Sequence, residues 1–168
     1  LGNEDAEKLL SPADYVAAVE DGYREYGLNR VVERDPSRTH TYVPTSREDV
    51  RFMCRTIEGG IPKLDCYSLR LNAEVPHLIT VNGMRRKYKP PAIEGKYYFG
   101  LVFLFGIENG NLRAVIQDGY LNQMVTGATG ALGVKYLSRE DAHTVGIIGS
   151  GWQAQGQLKA VAAARDIT

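Results

Sequence analysis

Thr144-Val145-Gly146-Ile147-Ile148-Gly149-Ser150-Gly151-Trp152-Gln153-Ala154 is the stretch on which the reading of this chain turns. An apolar run enters Gly-x-Gly-x-x-Ala, and Leu158, Val161 and Ala162 then mark the inner face of a helix. The pattern predicts a strand, a tight turn and a helix. In that arrangement Gly149 permits the turn. Gly151 lets the backbone approach a pyrophosphate with no side chain between, and Ala154 keeps the helix close to its strand. Two linked phosphates would rest on amides at the helix start, where the dipole favours negative charge. Gly149, Ser150, Gly151, Trp152, Gln153 and Ala154 are therefore the candidate cofactor-binding residues, and NAD or NADP is the implied cofactor. Trp152 has the bulk to cover a nucleotide cleft or to pack on another domain. The acidic residue that completes such a site lies about 20 positions further on, beyond Thr168.

One strand and one helix cannot form a buried parallel sheet, whose faces and edges all need partners. The expected fold class is α/β in two parts. Residues 1–138 are expected to form an α+β substrate and dimerisation domain, with a linking helix over 118–137. Residues 139–168 would be the truncated start of a Rossmann NAD(P)-binding domain. A chain cut there is expected to be inactive alone. Leu1 in place of Met suggests that residues are missing in front.

Upstream, Ser11-Pro12 with Asp14 reads as a capped helix start, Gly27 as its stop, and Val16, Val19, Tyr23 and Tyr26 as its face. Thr39 to Val43, Val50 to Ile57 and Asp65 to Asn72 read as strands. In the third, Tyr67, Leu69 and Leu71 are expected on a core face, with Ser68, Arg70 and Asn72 on a polar one. Residues Gly83 to Gly95, with Arg85, Arg86, Lys87, Lys89 and Pro90-Pro91, read as a solvated loop. Tyr97 to Ile107 and Leu112 to Gln117 are two further strands joined through Asn109-Gly110, a hairpin signal. Asp118 to Leu137 reads as a helix with Met124, Ala128, Ala131, Leu132 and Tyr136 as its apolar set. Gly127, Gly130 and Gly133 bare one side of it, for close helix packing or for a nearby cofactor.

The 168 residues carry 20 Lys plus Arg and 20 Asp plus Glu, so the formal net charge is zero. That balance offers no reason to expect a nucleic-acid or membrane-surface partner. The longest apolar run, Tyr97 to Phe105, is far short of the about 20 residues a spanning helix needs. No apolar leader precedes the first polar residues. Cys54 and Cys66 have no metal-like spacing and read as small core residues in a reducing, cytoplasmic setting. His40, His77 and His143 are dispersed, so no metal site is expected.

The run from Gln117 to Gly151 resembles the ornithine cyclodeaminase and mu-crystallin family. It holds Asp118-Gly119, Met124-Val125-Thr126-Gly127-Ala128, Lys135-Tyr136-Leu137 and the Gly149-Ser150-Gly151 turn, in order and at matching spacing. The resemblance implies a homodimer with a Rossmann domain and a small-molecule substrate. Members oxidise amino acids or reduce cyclic imines with NAD(P), by hydride transfer at the α-carbon. Some act as ornithine cyclodeaminase, amino-acid dehydrogenase or ketimine reductase. Carried over, Arg38 holds the substrate carboxylate. Arg70 stands where the family has a lysine near the reacting carbon, and is the candidate catalytic and substrate-binding residue. Val125 stands where the family has a second carboxylate-binding arginine. Arginine is a fixed cation, whereas lysine exchanges protons. Those two departures keep a second expectation open: a non-catalytic, mu-crystallin-like protein that binds a small ligand and NADPH. On residue pattern alone, Arg70 and Arg38 are surface cations or anion ligands. Asp118 caps the helix behind it. Thr126 faces the cofactor or packs.

Overall fold

The computed structural model describes residues 1–90 and 100–168. The Tyr97 start of the fourth expected strand and the Pro91–Gly95 end of the expected loop lie outside them. Contacts group the chain into two compact units. One comprises Leu1 and Val31–Gly119, the other Gly2–Arg30 and Tyr120–Thr168. The sequence reading drew its line at residue 138. The contacts draw it at 119/120 and place the N-terminal helices with the C-terminal ones.

The first unit is an antiparallel sheet. Its strands are β1 (Val32–Pro44), β2 (Arg51–Ile61), β3 (Cys66–Glu74), β6 (Gly100–Phe105) and β7 (Leu112–Gln117), ordered β1-β2-β3-β6-β7. Between β3 and β6 the chain makes a separate two-stranded hairpin, β4 (His77–Val81) and β5 (Met84–Tyr88). This hairpin replaces part of the expected loop. Its turn is Asn82-Gly83, with φ of 51° and 75°, the left-handed pair that a two-residue hairpin turn requires. The basic residues after Gly83 hid that signal. Lys87 and Lys89 are held by Glu74, and Arg85 and Arg86 lie exposed on β5.

The faces of β3 also differ from expectation. Tyr67, Leu69 and Leu71 are only half-buried, while Asn72, on the polar side, is 2% exposed. Met53 and Val102 are buried on that same side, since Met53 faces Glu74 and Val102 faces Arg70 across the sheet. Alternation marks two faces but does not say which one is covered. Cys54 and Cys66 are free thiols and half-buried rather than in a core. At one end of the sheet, Asp65 accepts the Glu108 amide at 2.9 Å and pairs with Arg113, tying the β2–β3 connection to the β6–β7 turn.

The second unit is helical: α1 (Asn3–Leu9), α2 (Pro12–Gly27), α3 (Asp118–Leu137) and α4 (Trp152–Ala164), the first two residues of α3 counting with the sheet. Helix α2 starts as expected. The Ser11 hydroxyl caps the Asp14 amide, and Asp14 returns a bond to the Ser11 amide at 2.8 Å. Its buried apolar residues are Tyr15 and Val16, whereas Tyr23 and Tyr26 are exposed. The core unites those two with Met124, Ala128, Ala131, Leu132, Ala160 and Val161. On α4 the inward side is Gly156, Ala160 and Val161, and Leu158 and Ala162 face outward.

The reason is the way α4 meets α3. A Cβ on Gly127 would overlap the Gly156 carbonyl, and one on Gly156 would come within 2.7 Å of the Gln123 carbonyl oxygen. A Cβ on Gly130 would overlap the Gln157 amide, while Gly133 has nothing within 4 Å. Of Gly127, Gly130 and Gly133, Gly127 therefore serves close contact of the two backbones, and Gly130 leaves room for the Gln157 side chain. Thr144 to Ile148, expected as a strand, makes no sheet pairing among the described residues. A parallel strand needs ladders on its edges. Among the described residues the bond from the Thr168 amide to the His143 carbonyl, 2.9 Å, is what borders it. Ile148 is fully exposed. Among the described residues no helix is long and apolar enough to cross a membrane.

Candidate functional site

Each unit carries one group of the candidate residues. In the helical unit, Gly149 adopts φ 112°, a conformation open to glycine and strained for any side chain. Gly151 is the N-cap of α4, and no side chain caps that end. The space beside Gly149 and Gly151 is empty to 4 Å of where a Cβ would stand. A 13-residue helix thus presents its positive end to an uncluttered turn. These residues fit a dinucleotide pyrophosphate. The turn is open beside Gly149 and Gly151, its one positive φ belongs to glycine, and the N-cap residue supplies no side chain to the helix end.

The position of that end is set by two glutamines. Gln123 is buried on α3, and its amide Nε2 donates to the Trp152 carbonyl in the first turn of α4. Gln157 of α4 donates back to the Thr126 carbonyl at 3.2 Å. Thr126 is exposed, and what engages it is its backbone. Trp152 is half-buried. Gln153 Oε1 is shielded from solvent and has no hydrogen-bond partner among the described residues. The role of Gln123 was not visible in the sequence, because a glutamine within a glycine-rich helix carries no local signal. The exposed Val125 offers no cation where the resemblance called for one.

In the sheet unit, register decides which residues meet. Ile57 of β2 lies opposite both Arg38 of β1 and Arg70 of β3, and Arg70 lies opposite Val102. Residues directly opposite in an antiparallel sheet share a face. Arg38 and Arg70 therefore stand on one face in one row, about 10 Å apart by two interstrand spacings. Arg38 is exposed. Arg70 is 22% exposed in its side chain, and its Nε donates to the Oδ2 of Asp118, which is 2% exposed. Asp118, expected as a helix cap, is thus the counter-charge of Arg70.

The next row on the same face is His40, Arg55 and Asn72. Arg55 Nη2 donates to Asn72 Oδ1 at 3.1 Å. One row further, Glu74 accepts from Lys89 at 2.6 Å and lies 3.5 Å from Lys87. Burial raises the Glu74 pKa. The Lys89 hydrogen bond and the charges of Lys89, Lys87 and Arg55 outweigh it, and the carboxyl titrates below its ordinary value. Sequence reading singled out Arg38 and Arg70 and placed Asn72 on the polar side of β3, but missed Arg55. Their link is a pairing between strands, which no single segment displays.

Comparison with known proteins places this geometry. The model of the ornithine cyclodeaminase/mu-crystallin family matches residues 93–168. A Delta(1)-pyrroline-2-carboxylate reductase of Bacillus cereus is 28% identical over 160 residues, 95% of this chain and 44% of that protein. An alanine dehydrogenase of Archaeoglobus fulgidus is 28% identical over 170 residues, 99% of this chain and 45% of that protein. Among solved structures, an archaeal alanine dehydrogenase dimer with bound NAD superposes with a TM-score of 0.75 at 26% identity, over 99% of this chain and 45% of that one. The mixed α/β fold is thus shared along nearly the whole chain. The chain spans less than half the length of the curated relatives it matches.

Proposed function

We propose that the protein is an NAD(P)-dependent oxidoreductase of the ornithine cyclodeaminase/mu-crystallin type, acting on an amino acid or a cyclic imine. The observation that carries this reading is the bare turn at Gly149–Gly151, with an uncapped helix behind it. The relatives support it, being a pyrroline-2-carboxylate reductase and alanine dehydrogenases, one of them with bound NAD. In this reading residues 1–138 serve the substrate and residues 139–168 begin the dinucleotide part. The whole protein acts as a homodimer, as the archaeal neighbour does.

A bound nicotinamide would supply hydride transfer at the substrate α-carbon, with a proton exchanged at nitrogen, so that amine and imine interconvert. The chain's own residues do the rest. Amides of the Gly149–Ala154 segment hold the pyrophosphate. Arg38 and Arg70 take the substrate carboxylate, and Asp118 fixes the guanidinium of Arg70 by engaging its Nε. Arg70 is always charged, so it orients the reacting carbon and does not shuttle protons.

The test uses the intact protein. NAD⁺, NADH, NADP⁺ and NADPH are titrated by calorimetry, and turnover is followed by nicotinamide absorbance with amino acids and cyclic imines. Binding of at least one coenzyme, lost in Gly151→Val, together with turnover, is expected. Coenzyme binding with no turnover of any substrate would favour the mu-crystallin-like binding role, which Val125 and Arg70 both support. Absence of binding to all four coenzymes would reject both.

A further inference from the structure

The sheet face holds more positive charge than one carboxylate needs. Arg38 and Arg70 share one row, and His40 and Arg55 the next. Asp118 answers Arg70. Arg55 is answered differently. It sits diagonally from Arg70 across β2 and β3, at about 7–8 Å between backbones, within reach of long side chains. One N–H of its Nη2 goes to the neutral Asn72, itself 2% exposed. Its Nε is shielded from solvent and has no hydrogen-bond partner among the described residues. The carboxylate in whose field it stands, Glu74, is already held by Lys87 and Lys89. A shielded guanidinium N–H without an acceptor is costly, and an acidic group is what best relieves it.

We infer that Arg55 is a specificity-determining residue that receives a second acidic group of the substrate, so the substrate class is a dicarboxylic amino acid or its imine. This rests on the reading of Arg38 and Arg70 as anchors of the α-carboxylate. Those two hold the end common to all amino acids, and Arg55 reads the side chain. Asn72 keeps the guanidinium in place whether or not ligand is present.

The experiment compares aspartate and glutamate with alanine and proline in the intact protein. A parallel calorimetric titration of succinate against butyrate reads the same discrimination without turnover. Wild type is expected to prefer the diacids. Arg55→Gln is expected to weaken succinate binding and raise KM for the diacids by about 10- to 100-fold, with kcat and the monoacid values nearly unchanged. Arg55→Lys keeps the charge and should recover part of the loss, and thermal melting verifies that both variants fold. Arg70→Gln should depress all four substrates. The inference is overturned if wild type shows no diacid preference. It also falls if Arg55→Gln acts equally on both classes, or on neither, while Arg70→Gln lowers all. If Arg70→Gln changes nothing, the anchor reading fails first and takes this inference with it.

Discussion

In the helical unit the most deeply shielded residues are Met124, Ala128, Ala131 and Ala160, whereas in the sheet unit Asn72 and Asp118 are among them. The helices are joined by backbone contact and small apolar side chains. Buried polar groups on one face of the sheet are held by arginines. The difference teaches where each unit is vulnerable. Added volume should damage the first and lost charge the second. The sheet face also has chemistry to offer a substrate, while the helical unit offers a frame for the Gly149 turn.

The largest effect should follow from removing the counter-charge in the sheet. Asp118→Ala leaves the partly buried Arg70 without its carboxylate and should cost about 3 kcal/mol, read as a shift in the urea midpoint. If the loss is negligible, the contrast between the units fails on its charged side. Next comes volume. Gly127→Ala forces α3 and α4 apart and should cost about 2 kcal/mol, although alanine favours a helix by about 1 kcal/mol. Gly133→Ala, in open space, should stabilise by about 0.5–1 kcal/mol. Effects of equal sign at the two glycines would break the packing argument. Ser11→Ala removes the cap of α2 and should cost about 1 kcal/mol by thermal melting.

The smallest effect is electrostatic and lies on the helical surface. Glu20 titrates below its ordinary value of 4.5, chiefly because Lys135 and then Tyr136 hydrogen-bond its carboxylate. Its folded pKa is the lower one. The stabilisation is therefore present above the ordinary value and is lost as pH falls below it. Glu20→Gln should leave a slightly shallower loss of stability on acidification, measured by urea midpoints along a pH series.

Much of the helical unit was legible in the sequence. Ser11, Pro12 and Asp14 act within four residues of one another, and local chemistry of that kind survives in a linear reading. The 118–137 helix was legible for a similar reason. Met124, Ala128, Ala131 and Leu132 repeat at helical spacing and are buried together. The sheet was legible as strands but not as a surface. That Arg38, Arg55 and Arg70 share a face depends on two strand registers, and neither is written in any one strand. Asn82-Gly83 was a readable turn, masked by the cations that follow it. Thr144–Ile148 shows the opposite failure: its pattern reads as a strand, yet a strand exists only where neighbours bond to it.

The joint between Gly127 and Gly156 also limits how this molecule could be altered by mutation. Where two main chains touch, nothing can be trimmed on one helix to make room for growth on the other. Compensating pairs of substitutions, the usual route by which cores drift, are closed at that crossing. Any variant that re-aims the first turn of α4 has to draw its change from the connection ahead of Gly149, outside the seam.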